Sequence, residues 1–506
     1  MPIRISEQKA VRVLRLVVAA VVVAVFLQRA FGDTDPTLRF FDDFFYYVKP
    51  AQNLVDGSGS TYFPGELTNG YHPLWFLWLT FLSWITSGDL LLFRLVDLTL
   101  MFLMVGFFFV YQRFLARVIG QELPATIGAA VAAIPLAMMA QAGLELALAV
   151  FAAALLLDAL TRKPLSQYGP KDAAVIGLLA AFLILSRLDA AILIPGLIIA
   201  VGRRWDWKRW TASAAGALPV AFYLGFNWLT YGHPGTTSMR AKSLDVYWPP
   251  NLHGLTLSKQ MTAVGIIVVV AVVVVAFLAG RLENVEARRV ALALTTAPLL
   301  QLIFQAIFSG WMLFPWYFYL TDMMLGLGAG LLVSRWPQTR VMRWAIVPIS
   351  LLAVVATAVG VFVGLKPDKH QEEIAALAHQ LQSFSAERPG VYAMGDAAGT
   401  ARWLMSQPIV HLEGLMMSND FIDRIRERQP LEKVFRDYHV NYFVAVWSED
   451  AGHGCRRFRE PAPLQSSPRA PHMEMTTCAQ PIAVLAPGSI YQVRIYRIDP
   501  NTGQAT

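Results

Sequence analysis

The sequence predicts a polytopic α-helical membrane protein with about eleven transmembrane helices and a soluble α/β domain at its C-terminus. Three observations carry that expectation. Apolar stretches of about twenty residues, the length that ~30 Å of hydrocarbon demands of a helix, recur from Val11 to Leu365. Charged residues make up only 15% of the chain, against roughly 25% in average soluble domains. From Lys366 the apolar runs stop, charge rises, and helical and strand patterns alternate.

The first apolar segment, Val11 to Phe31, follows Lys9 and carries Arg12 and Arg15 in its first turn. It is long, and Gln28-Arg29-Ala30 is a poor cleavage site, so a retained helix is expected rather than a signal peptide. The basic start places the N-terminus inside. The connection from Gly32 to His72 is acidic and fits outside. His72 to Gly88 is apolar but short and carries Trp75, Trp78 and Trp84. It is expected to lie at the outer interface or to dip in and return, since counting it as a span inverts every later basic loop. The remaining helices then fall near 90–117, 123–141, 145–161, 172–187, 189–202, 209–230, 260–280, 290–308, 314–334 and 342–365. The pair 172–187 and 189–202 reads equally as one broken hairpin. Arg94 and Asp97 are spaced for a pair on one helix face.

This divides the chain into a membrane domain, 1–365, with a large outer loop at 32–89, and an outer α/β domain, 366–506. In the latter, Asp368 to Ser385 reads as an amphipathic helix, Val391 to Met394 as a strand, Asn419 to Tyr438 as a helix, and Tyr442 to Trp447 and Tyr491 to Ile498 as strands. Both cysteines, Cys455 and Cys478, lie here. An oxidising compartment favours a bridge between them over two free thiols. The net charge of +7 suggests nucleic acid at first sight. The basic residues sit in short loops between apolar segments, and no nucleic-acid-binding motif is present.

The segment most informative about chemistry is Phe40-Phe41-Asp42-Asp43-Phe44-Phe45-Tyr46-Tyr47-Val48-Lys49. A bare Asp-Asp is ordinarily a solvated turn or cap. Here aromatic flanks desolvate it, which raises a carboxylate's pKa and makes it a better proton acceptor. A divalent cation is a candidate occupant of the Asp42/Asp43 pair, although two carboxylates do not establish a metal site. Glu145 and Arg187 fall at outer helix ends, where ionisable groups usually line a cavity. The loop from Tyr231 to Ser258 holds His233, Arg240 and Lys242, cations suited to a lipid-linked phosphate or to ordinary headgroups. Trp311 and the turn Phe314-Pro-Trp316-Tyr317 supply aromatics for the interface belt or for stacking on a sugar.

The ordered set of motifs resembles the GT-C superfamily of membrane glycosyltransferases. The nearest likeness is to the bacterial branch with the mycobacterial-type arabinofuranosyltransferases. It rests on Asp42-Asp43-Phe44, Asn53 to Gly59, Asn69-Gly70-Tyr71-His72-Pro73-Leu74-Trp75, Gly143-Leu-Glu145, Arg187-Leu-Asp189, Asn227 to Gly232, Ala241-Lys242-Ser243, Gly395 to Gly399 and His411 to Leu415. The resemblance implies a polyprenyl-phosphate-linked sugar donor and a glycan, lipid or protein acceptor. It implies a multi-pass protein of the bacterial inner (cytoplasmic) membrane, with the C-terminal domain outside. Catalytic roles are implied for Asp42 or Asp43, with Glu145 as a second acid. Donor-phosphate contacts are expected from Lys242, Arg240, Arg187 and His233, and substrate contacts from Lys49, Tyr71, His72, Trp316 and Tyr317. The rival readings are a transporter or flippase of a lipid-linked saccharide, and an anchored assembly protein. No internal repeat favours transport, and the candidate acids lie in loops rather than mid-span.

Overall fold

In lipid a chain must satisfy its own backbone polar groups, and helices do so within one segment. The computed structural model describes residues 7–32, 35–256, 259–336, 369–463 and 465–506. Its continuously apolar segments are helical. The first is α1 (Glu7–Phe31), followed in the first connection by α2 (Pro36–Arg39), α3 (Asp42–Val55) and α4 (Pro73–Ile85). Then come α5 (Asp89–Ile119), α6 (Glu122–Ala140), α7 (Leu146–Leu160), α8 (Pro170–Ser186) and α9 (Leu193–Val201). The series continues with α10 (Trp207–Gly216), α11 (Leu218–Tyr231), α12 (Thr237–Lys242), α13 (His253–Thr256), α14 (Lys259–Gly280), α15 (Val285–Phe308) and α16 (Tyr319–Arg335).

Among the described residues six helices are long and apolar enough to cross a membrane: Gln8–Phe31, Asp89–Ile119, Glu122–Ala140, Met261–Gly280, Val285–Phe308 and Pro315–Arg335. Pro73–Ile85, Leu146–Leu160 and Leu188–Val201 are apolar but shorter. The span expected at 342–365 lies outside the described residues. The single helix expected at 209–230 is two, α10 and α11. Pro219 is the reason: it removes a backbone donor, and its ring crowds the preceding turn, so a new helix starts around it. α4 has 13 residues, short for a ~30 Å crossing. Its Trp84 is 70% exposed.

The expected Arg94–Asp97 pair does not form. Asp97 is fully buried and faces α1 and α2, where Arg29 Nε reaches it at 3.2 Å and Arg39 Nη1 at 4.0 Å. Arg94 also reaches α1 but meets its end, donating to the Ala30 carbonyl at 3.1 Å and lying over Phe31.

The C-terminal α/β domain begins with α17 (Lys369–Glu387). Its main sheet has five strands in the order β2 (Ile409–His411), β1 (Val391–Met394), β3 (Val440–Ala445), β8 (Val493–Arg497), β7 (Ala483–Leu485). β1 runs parallel to β2 and β3, while β8 is antiparallel to β3. The helices α18 (Ala398–Leu404), α19 (Asn419–Arg426) and α20 (Leu431–Asp437) fill the crossovers. The helix expected from Asn419 to Tyr438 is thus broken, at Arg428 in left-handed backbone (φ 54°) and at Pro430. A second antiparallel sheet, β4 (Glu449–Gly452), β5 (Cys455–Glu460) and β6 (Met473–Thr477), escaped the sequence reading. Cys455 and Cys478 are bridged at its end, as expected.

Removing one member of a buried charge cluster strands the others. Asp97→Ala is therefore expected to cost about 3–5 kcal/mol, read as a lower unfolding midpoint in detergent. Arg94→Ala should cost far less, and equal losses would restore the pairing that spacing suggested.

Candidate active site

Helix α3 starts at Asp42, so both acids occupy its first turn, where the helix dipole favours negative charge. Successive residues on a helix point about 100° apart, so the two carboxylates cannot share one task. The start of α3 is held by the turn before α7. Phe41 N–H donates to the Ala142 carbonyl at 3.2 Å. Gly143 adopts φ +84°, and a Cβ there would come within 2.5 Å of Phe40 and 2.8 Å of Phe44. Only glycine permits that approach.

Asp42 turns toward the outer domain. It accepts hydrogen bonds from Gly399 N–H (3.0 Å), Thr400 N–H (2.7 Å) and Thr400 Oγ1 (2.8 Å). These are the free donors at the start of α18, whose own preceding residue, Ala397, offers no side-chain cap. Asp43 takes the other direction, into a cavity of about 70 Å³. Tyr47, His72, Glu145, Arg187, Lys242, Trp316 and Tyr317 share that cavity with it. The Asp43 carboxylate makes no hydrogen bond or ion pair among the described residues. Burial pushes its pKa up to about 7, with Asp42, Glu413 and Asp396 adding to the rise and Lys242 opposing it.

The opposite wall is cationic. Lys242 ends α12, whose backbone is fixed by Trp311 Nε1 donating to the Ala241 carbonyl (3.1 Å) and Gly310 N–H donating to the Lys242 carbonyl (3.0 Å). Its ammonium donates to Tyr317 Oη at 3.2 Å and lies over the rings of Trp311 and Tyr317. Burial would lower the Lys242 pKa, but Tyr317 and Asp43 outweigh it and leave it raised. Arg187 is locked by two acids, Glu145 at 2.6 Å and Asp189 at 2.8 Å. Glu145 also accepts from Tyr47 Oη at 2.7 Å and faces His72 Nε2 at 3.5 Å. His72 Nδ1 accepts from Leu188 N–H at 3.1 Å, which assigns the proton of the neutral ring to Nε2.

Several expected contacts fall elsewhere. Arg240 pairs with Asp423 (2.8 Å) and Asn419 Oδ1 (2.6 Å) on α19, away from the cavity. His233 shapes its own turn, its Nδ1 accepting from Gly235 N–H. Tyr71 stacks on Phe76 at 3.6 Å and is buried. Lys49 opens into a different cavity. Among the described residues no group of three or more His, Cys, Asp or Glu side chains is arranged to hold a metal ion. Asp42 engages both oxygens with Gly399 and Thr400.

The sequence reading also missed a buried niche behind Asp42. His411 is fully buried, meets Tyr46 Oη at 3.2 Å and faces Glu413 at 3.4 Å. Burial pushes Glu413 up to about 8, helped by Asp42 and opposed by Lys242. Burial, then Glu413, pushes Asp396 up to about 7. Asp396, His411 and Glu413 fall within motifs noted for their likeness, but nothing local announces that they fold back over Asp42.

Asp43 and Glu413 have ordinary values of 3.8 and 4.5 in the unfolded chain, and bind protons more tightly when folded. The native state therefore holds more protons between pH ~4 and ~8, and these groups make stability fall as pH rises through that window. Unfolding midpoints at pH 5 and pH 8 check this. Glu413→Gln should narrow the difference between them, and an unchanged difference would count against the buried acid.

No protein-family model matches the chain, and no curated protein matches it. Solved structures do. One is ArnT from Cupriavidus metallidurans bound to undecaprenyl phosphate, at TM-score 0.55 and 12% identity, covering 78% of this chain and 85% of that one. Another is the Archaeoglobus fulgidus oligosaccharyltransferase tethered with an acceptor peptide, at TM-score 0.51 and 11% identity, covering 85% of this chain and 69% of that one. Arabinofuranosyltransferase AftD from mycobacteria follows at TM-score 0.48 and 14% identity, covering 96% of this chain and 41% of that one, too low a score to bear on the choice of sugar. The fold of the GT-C membrane glycosyltransferases, expected from the ordered motifs, is the fold of this chain.

Proposed function

We propose that this chain, which has the fold of membrane glycosyltransferases, performs an inverting glycosyl transfer from a polyprenyl-phosphate-linked sugar, with arabinofuranose the first candidate, to a glycan, lipid or protein acceptor. One observation carries the reading: the Asp43 carboxylate is unpartnered and raised to about 7, and it faces Lys242 across a shared cavity. A base poised near the working pH and a cation beyond it are what the two halves of the reaction require.

The acceptor hydroxyl gives its proton to Asp43 as its oxygen attacks the anomeric carbon. The bond from that carbon to the carrier phosphate breaks, and the phosphate leaves with the electron pair. Lys242 takes the developing charge, with ammonium protons left over beyond its bond to Tyr317. Arg187 adds a second positive charge. Glu145 acts through it, holding the guanidinium and His72 in place. Trp316 and Tyr317 offer faces for the sugar. The proposal keeps a division at 1–365 and 366–506, about eleven spans, and a site on the outer face of a bacterial cytoplasmic membrane. The basic loops between apolar segments support that orientation.

Asp43→Asn should lower kcat by about 10²–10⁴-fold, the usual worth of a general base, with donor binding retained. Asp42→Asn, which leaves the base in place, should lose less. In the wild type kcat/KM should rise with pH through about 7 as Asp43 sheds its proton. Full transfer by the Asp43 variant in purified, reconstituted protein would overturn the assignment.

A further inference from the structure

A second cavity, of about 230 Å³, is larger than the one at Asp43. It lies further along α3, where Lys49, Gln52 and Asp56 repeat at helical spacing. The end of α4 contributes Ser83, and the turn into α5 contributes Thr86 and Asp89. Lys49 stands six residues beyond Asp43, about 9 Å along the helix axis and on a different face. Its half-buried ammonium makes no hydrogen bond or ion pair among the described residues. The Asp56 carboxylate likewise accepts none. Gln52 donates to Asp89 Oδ1 at 2.7 Å. The Ser83 hydroxyl is buried without a partner. Beside the cavity, Trp84, Ile85, Leu90 and Leu91 are exposed apolar side chains, which places it at the lipid interface.

The lining decides the ligand class. Hydrocarbon has no business among a cation, two carboxylates, an amide and hydroxyls. A phosphate would meet Lys49 but also Asp56 and Asp89, leaving one positive charge against two negative ones. A neutral polyhydroxy compound suits the wall, because each of its hydroxyls donates to a carboxylate and accepts from an ammonium or amide. We infer that this cavity is a saccharide-binding site, which engages a part of the acceptor glycan remote from the hydroxyl that reacts at Asp43. The inference rests on the transferase reading for its role, but not for its chemistry. Burial and the nearby Arg402 lower the Lys49 pKa, with Asp56 and Asp89 opposing, so the ammonium lacks a sufficient partner of its own.

The test is binding of free sugars to the full-length protein in nanodiscs, read by saturation-transfer NMR. The probes are neutral trisaccharides of glucose, mannose and arabinofuranose, with inorganic phosphate as the competing chemistry. At least one trisaccharide should bind, and Lys49→Met and Asp56→Asn should each weaken it about tenfold, as expected for a lost hydrogen bond to a charged group. Asp43→Asn, in the other cavity, should leave the trisaccharide signal unchanged. Gln52→Ala provides an uncharged third variant should either charge change impair folding. Failure of every trisaccharide to bind, binding untouched by all three variants, or binding of phosphate alone overturns the saccharide site. None of these outcomes depends on transfer, so a wrong assignment of Asp43 shows separately, as an active Asp43→Asn enzyme.

Discussion

The site depends on a helix cap supplied from another part of the chain. α18 starts with Ala397 in left-handed backbone and no capping side chain of its own. Its first free N–H groups would otherwise be buried without acceptors, at a cost of about 1–3 kcal/mol each. Asp42, more than 350 residues earlier, satisfies two of them and the Thr400 hydroxyl besides. The approach is close: a Cβ on Gly399 would come within 2.9 Å of the Asp42 carboxylate. This contact docks the outer domain on the first turn of α3. It also fixes the helix rotation, and so the direction of Asp43. One aspartate is engaged in structure, and its neighbour turns into the cavity without a hydrogen-bond partner among the described residues.

The same logic recurs at the cationic wall. Glu145 and Asp189 hold Arg187 from both sides, and Gln301 Nε2 in turn donates to Asp189 at 3.2 Å. The guanidinium is left with little freedom, which suits preorganised charge. Lys242 is less restrained at its tip, but α12 behind it is tied to the outer domain. Arg240 reaches Asp423 and Asn419, while Thr237 Oγ1 donates to the Leu415 carbonyl at 3.0 Å. Arg240 therefore fixes the position of Lys242 rather than lining the cavity itself. Both walls of the cavity are referred to one outer domain, so their separation is set by its docking.

The legible parts of the fold were those written in composition and local spacing. The limits of α5 and α6 follow from long apolar runs, and β8 falls within the alternation of Tyr491 to Ile498. Breaks inside apolar runs were harder: Pro219 splits an expected span, and Pro430 with Arg428 splits an expected helix. Both signals were present, but hydrophobic continuity outweighed them. At the site the sequence named Asp43, Tyr47, His72, Glu145, Arg187, Lys242, Trp316 and Tyr317, which line one cavity, and left their partners open. Asp42 and Asp43 look equivalent along the chain, because the donors that distinguish them, at Gly399 and Thr400, are remote in sequence. Arg94 and Asp97 show the same limit from the other side. Their spacing is right for a pair, yet Arg29 and Arg39 reach Asp97 from other helices.

The acidic niche behind Asp42 makes sense of the raised base. Two more carboxyls, Glu413 and Asp396, lie close enough to act on Asp43 through space, and their own burial favours their neutral forms. Burial does most to raise Asp43; Asp42, Glu413 and Asp396 add to the rise, and the Lys242 ammonium opposes it. Through Asp396 and Glu413 the C-terminal domain adds to the electrostatic background at Asp43, a residue of α3.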